Sequence, residues 1–157
     1  MLVQLNRNKD DRQYTATGTG LPLNAATTKS LSPVVAVLGP VGRVAGLPGH
    51  LPAGWSLRRA RDLDDVRPDE IVLMTDARED DVATARAVLP GRTRIVTLVD
   101  HLAPAELVAA VLTAGADVCV RGGQPAILAS HLVACRRRQL ADRWSSLQNA
   151  VNAAVQA

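Results

Sequence analysis

Two aspartates, Asp76 and Asp100, each follow directly on an apolar run, EIVLMT and RIVTLV. A pair of carboxylates delivered to neighbouring strand ends is what acid–base chemistry or cation binding requires. His101 comes next to Asp100, and Arg121 follows the short run VCV, so a base and a fixed cation are expected near the pair. Gly39 and Gly42 follow the run VVAVL and would bring backbone N–H groups to the same edge. Gly39, Gly42, Asp76, Asp100, His101 and Arg121 therefore make up a candidate pocket. The simpler reading is that the glycines form a turn and that both aspartates cap the helices after them, a place where Asp is favoured.

Other chemistries lack their residues. Gly39, Gly42 and Gly46 match neither a dinucleotide fingerprint nor a P-loop, and Pro40 removes a donor where a phosphate cradle needs one. The only lysines are Lys9 and Lys29, so everything beyond residue 29 lacks an amine for Schiff-base or phosphoryl-clamping work. His50, His101 and His131 are scattered without metal-ligand spacing, and Cys119 and Cys135 read as small buried hydrophobes. No GxSxG elbow occurs. No metal, no cofactor and no enzymatic activity are expected. Glu79, Asp80 and Asp81 sit where the dipole of a helix favours acids, and Arg58, Arg59 and Arg61 read as a solvated strand edge.

Positioning these groups falls to alternating strands and helices. Residues 94–123 hold one βαβ unit: a β-branched run at 95–99, a helix at 103–113 with Leu107, Val108, Val111 and Leu112 on one stripe, Gly115 as its stop, and a strand at 118–120. Earlier strands are expected at 34–38, 55–61 and 70–75, with a short helix at 42–47, a helical turn at 63–66 and a helix at 79–89. Short apolar strands joined by helices pair in parallel, so the fold class is α/β, a doubly wound five-stranded parallel sheet. With 47% apolar residues, 2% aromatic residues and no Phe, its core must come from Ala, Val and Leu.

Residues 1–33 read as a flexible leader, with Leu2, Val3 and Leu5 as a weak edge-strand signal. The α/β domain is placed at 34–138. From Pro125 a helix runs without a clear stop: Leu128, Leu132 and Cys135 form a packed face, and Leu140, Trp144, Leu147, Val151 and Val155 continue an apolar stripe. Residues 139–157 are expected to serve as a dimerisation or connector helix. Two cysteines, no signal segment and no spanning apolar run place the chain in the cytoplasm, away from membranes.

The run AGADVCVRGG at 114–123 resembles the fifth-strand signature of bacterial response-regulator receiver domains, where an alanine-glycine-alanine-aspartate run leads to a short strand and a lysine-proline pair. RPDEIVLM at 67–74 is similar to the entry to that family's third strand, and ILASHLVACRRR at 127–138 to its fifth helix. The resemblance implies a flavodoxin-like fold and Mg²⁺-assisted phosphoryl transfer to an aspartate. That chemistry needs an acidic pair after the first strand, an acceptor after the third, a hydroxyl after the fourth and a lysine after the fifth. The matching positions hold Gly39 and Pro40, then Met74 with Asp76 two residues beyond, then Val99 with Thr97 a strand step early, and finally Gly122 and Gly123 beside Arg121.

The resemblance thus implies a degenerate receiver: a phosphorylation-independent signalling module, bacterial, of two-component ancestry, that acts through a protein partner or as a homodimer. Its partner face is expected at Leu107, Val111, Leu128, Leu132, Leu140, Trp144, Leu147 and Val151. Transcriptional regulation is a further implication, with nucleic acid contacted only through a domain not visible in these 157 residues. Two alternatives are a small-ligand sensor using the pocket and a structural interaction protein using the last helix.

Overall fold

The computed structural model describes residues 32–156. Most of the expected leader, including Leu2, Val3 and Leu5, lies outside the described residues, as does Ala157. Five strands form one sheet: β1 (Val34–Leu38), β2 (Ser56–Arg59), β3 (Ile71–Thr75), β4 (Ile95–Val99) and β5 (Val118–Arg121). All neighbours pair in parallel in the order β2-β1-β3-β4-β5, which is the doubly wound arrangement expected from the sequence. Three α-helices cover it: α1 (Glu79–Val88), α2 (Ala105–Thr113) and α3 (Pro125–Val155).

Strand periodicity divides the core into two layers. Val35 and Val37, Ile71 and Leu73, Val96 and Leu98, and Val120 point to one face, where Leu128, Ala129, Leu132 and Cys135 of α3 cover them. Val72, Met74 and Ile95 point to the other, against Val82 and Ala85 of α1 and Val111 of α2. Every residue of β3 and β4 is buried, which is why both strands read as apolar runs broken only by Thr75 and Thr97.

Prolines account for where the helices differ from expectation. Ala103 precedes Pro104 and is thereby kept out of the helical region, so α2 starts at Ala105 rather than 103. Leu89 precedes Pro90, is extended (ψ 148°), and α1 ends one residue early. The first crossover contains two short 3-10 turns, Val41–Val44 and Leu47–His50, whose Val44 and Leu47 plug the α3 layer. Between β2 and β3 there is no helix at all. The expected helical turn at 63–66 is a single tight turn, Val66 N–H to Leu63 O at 3.2 Å.

Charge replaces that missing helix. Arg58 on β2 meets the Glu70 carboxylate with two hydrogen bonds, Nε to Oε1 at 2.7 Å and Nη2 to Oε2 at 2.6 Å, and also donates to the Asp65 carbonyl. The expected solvated arginine edge is therefore corrected at Arg58. Its partner Glu70 is only 4% exposed, and the Arg67 N–H donates to the same carboxylate at 2.9 Å. Burial pushes the Glu70 carboxyl up, but Arg58 and the Arg67 N–H outweigh it and hold it below its ordinary range.

A second cluster lies toward the other lateral edge of the sheet, at the amino ends of β4 and β5. Asp117 accepts from Arg86 at 2.9 Å, Arg94 at 2.7 Å and the Ile95 N–H at 2.8 Å, and Arg94 also reaches Asp142 on α3. Gly115, with φ +119°, makes room for Arg86, since a Cβ there would lie 2.9 Å from its side chain. The Ala-Gly-Ala-Asp run is thus a structural brace.

Helix α3 is continuous across the 138/139 boundary drawn from sequence. The expected partner face is corrected in half: Val111, Leu128 and Leu132 are buried in the core and Leu107 is half-buried against it, because the sheet consumes the apolar stripes of both helices. Leu140, Trp144, Leu147 and Val151 are exposed. Leu112, placed on the inner stripe of α2, is also exposed. Among the described residues no helix is long and apolar enough to cross a membrane.

Glu70→Gln is expected to cost about 2 kcal/mol at pH 7, because it removes the buried carboxylate that accepts from Arg58 and the Arg67 N–H, while the half-buried Arg58 keeps Asp65 at 3.2 Å. The folded Glu70 carboxyl titrates below its ordinary 4.5, so its stabilisation is complete above that pH and fades as pH falls through the lower folded value. Urea melts should show the gap between variant and wild type closing on acidification.

Candidate functional site

The carboxyl ends of β1 and β3 lie side by side, with Leu38 paired to Met74. Just beyond them the backbone takes two left-handed residues, Gly39 at φ +101° and Asp76 at φ +57°. A Cβ on Gly39 would stand 2.6 Å from the carbonyl oxygen and Oγ1 of Thr75, so glycine is there for close approach. Thr75 Oγ1 lies 3.3 Å from the Leu38 carbonyl and 3.2 Å from that of Pro40, and its hydroxyl clamps the turn after β1. Asp76 is anchored through its own N–H, which donates to Leu98 O at 3.0 Å. These contacts join the ends of three strands and fix where the Asp76 carboxylate stands.

From the 3-10 turn after β1, Arg43 reaches back over this edge. Its Nη1 lies 3.0 Å from Asp76 Oδ1 and 3.8 Å from Asp100 Oδ2, so one guanidinium joins the two carboxylates. The Leu102 N–H donates to Asp100 Oδ1 at 2.8 Å, and His101 Nδ1 lies 3.2 Å from the same oxygen. The Leu102 N–H above all outweighs the opposing effect of burial and, with lesser help from His101 and Arg43, holds the Asp100 carboxyl below its ordinary value.

Neither aspartate caps a helix. The N-cap of α1 is Arg78, whose N–H is accepted by Asp81 at 2.9 Å, and that of α2 is Pro104. Intervening residues carry the chain past each aspartate before its helix begins, so Asp100 makes a tight local turn and Asp76 pairs with Arg43.

The expected pocket is brought together in part. Asp76, Asp100 and His101 share one edge, and Gly39 supports it. Gly42 faces open space on the 3-10 turn, and Arg121 is exposed and makes no ion pair among the described residues. Gly122 packs under His101, with a Cβ position 3.4 Å from the histidine Cβ. Two depressions flank Asp76. One, of about 570 Å³, runs over Leu38, Gly39, Leu63, Met74 and Val88 with Asp62, Asp64 and Asp81 at its edge. The other, of about 300 Å³, lies between Asp76 and Asp100 toward Leu102 and Leu107.

Arg43 and Thr75 were not singled out by sequence. Thr75 reads as the end of an apolar run, and Arg43 lies in the segment expected to form a short helix at 42–47. The one signal available was that Arg43 is the first charged residue after β1. Among the described residues no three His, Cys, Asp or Glu side chains lie together as metal ligands. The cation at this edge is the arginine itself. No protein-family model matches the chain, and no curated protein matches it in sequence.

Gly39→Ala is expected to cost about 2–4 kcal/mol in chemical denaturation, from the added Cβ and the positive φ. Arg43→Ala, at a solvent-exposed pair, should change stability by less than about 1 kcal/mol in the same assay.

Proposed function

We propose that this protein is a phosphorylation-independent, receiver-like regulatory module that works by protein–protein contact and catalyses no reaction. The observation that carries this reading is the Arg43 guanidinium held between Asp76 and Asp100. Phosphoryl transfer to an aspartate needs a divalent cation that binds the carboxylates and the phosphoryl oxygens together. A guanidinium neutralises the carboxylates, yet it has no coordination sites to share with a phosphoryl group. The edge therefore carries a cation of its own, which offsets one of the two negative charges.

The other positions support the same reading. Met74, where the resemblance places the acceptor, is 7% exposed and packs into the α1–α2 layer. Val99, where it places the hydroxyl, is fully buried, and Gly122 and Gly123 stand where it places the lysine and proline. The free cysteines Cys119 and Cys135 suit a reducing, cytoplasmic setting. A role in transcription would run through a separate nucleic-acid-binding domain.

Incubation with acetyl phosphate and Mg²⁺, followed by intact-mass measurement, should leave the mass unchanged. A stoichiometric phosphoryl adduct mapped to Asp76 would overturn the reading.

A further inference from the structure

Helix α3 has 31 residues, roughly 46 Å at 1.5 Å per residue, and only its first half packs on the sheet. From Ala141 to Gln156 every residue is exposed. On that free half the apolar side chains are not scattered: Leu140 is 40% exposed, Trp144 72%, Leu147 52% and Val151 61%. Their spacings of four, three and four, continued by Ala154 three residues on, follow a heptad in which Leu140, Leu147 and Ala154 hold d positions and Trp144 and Val151 hold a positions.

We infer that the free half of α3 pairs with the same segment of a second copy of this chain, as a parallel two-stranded coiled coil. The choice of a second copy comes from the residues of the seam. Leucine at d with β-branched Val151 at a favours two parallel strands. The flanking e and g positions are Ala141, Arg143, Gln148, Ala150 and Val155, of which only Arg143 is charged. In a parallel pair, Arg143 of one copy faces Gln148 of the other and Ala150 faces Val155, so no like charges meet.

Area and order point the same way. The strip presents on the order of 500 Å² of apolar surface per chain, the size of patch that is often functional on a monomer, and a pair that covered it fully would bury about 1,000 Å², the lower bound for a specific interface. Two heptads in isolation would be marginal helices. Here the packed half, anchored by Leu128, Leu132 and Cys135, supplies the helical nucleus, and the ordering cost of association falls accordingly.

This deepens the interaction role proposed above by naming its partner, and the two can fail separately, since the phosphoryl adduct tests one and oligomeric state the other. Light scattering on the full chain over a dilution series should show a dimer that dissociates at low concentration. Leu147→Asp, on an exposed side chain, should be monomeric throughout and should melt, at every concentration, where the wild type melts once diluted to monomer. In a Cys119→Ala background, Val151→Cys should form an interchain disulfide on mild oxidation, and Asn149→Cys, on the outer face of the helix, should not. A wild-type chain monomeric at every concentration, a dimer indifferent to Leu147→Asp, or equal cross-linking at 149 and 151 would each overturn the coiled coil.

Discussion

The structure depends on one constraint: β3 and β4 are buried on both faces along their whole length. A sheet of this kind needs cover on each side, and the chain meets that need unequally. Two short helices cover one face. The other is covered by half of a long one together with Val44 and Leu47 from two 3-10 turns. Because all strands run in parallel, their carboxyl ends converge on one edge, and that edge is where Thr75, Asp76 and Asp100 are left outside the apolar layers. The location of the candidate site follows from the burial of the strands.

The two ends of the sheet use charge differently. At the amino ends, Asp117 is enclosed by Arg86, Arg94 and a backbone N–H, and the group acts as a brace among α1, β4 and α3. At the carboxyl ends, Asp76 and Asp100 are 43% and 54% exposed and share one arginine. Ion pairs at such exposure contribute little stability. Their effect is on the potential of the edge, where two negative charges are opposed by a cation that belongs to the chain.

Legibility from sequence tracked the range of the interaction concerned. Strands β1 and β4 were placed to the residue, because β-branched runs bounded by Gly, Pro or Asp report local backbone preference. Helix stripes were found, but which part of a stripe the sheet would cover was not; Val111 and Leu132 looked as available as Leu147. The β2–β3 connection was misjudged because Arg58 and Glu70 are twelve positions apart, and their pairing leaves no local periodic trace. Arg43 escaped notice for a similar reason: its partners Asp76 and Asp100 meet it only once the sheet has formed.

Every ion pair described here takes its positive charge from arginine or histidine, and no lysine occurs after Lys29. A guanidinium keeps its charge at any pH a cell reaches, and it is not a substrate for acetyl or ubiquitin transfer to amines. The bracing network and the Arg43 bridge are thus beyond the reach of the covalent marks by which cells most often erase a positive charge. Lysine-directed marks have no target between residues 30 and 157, where every fixed positive charge is an arginine.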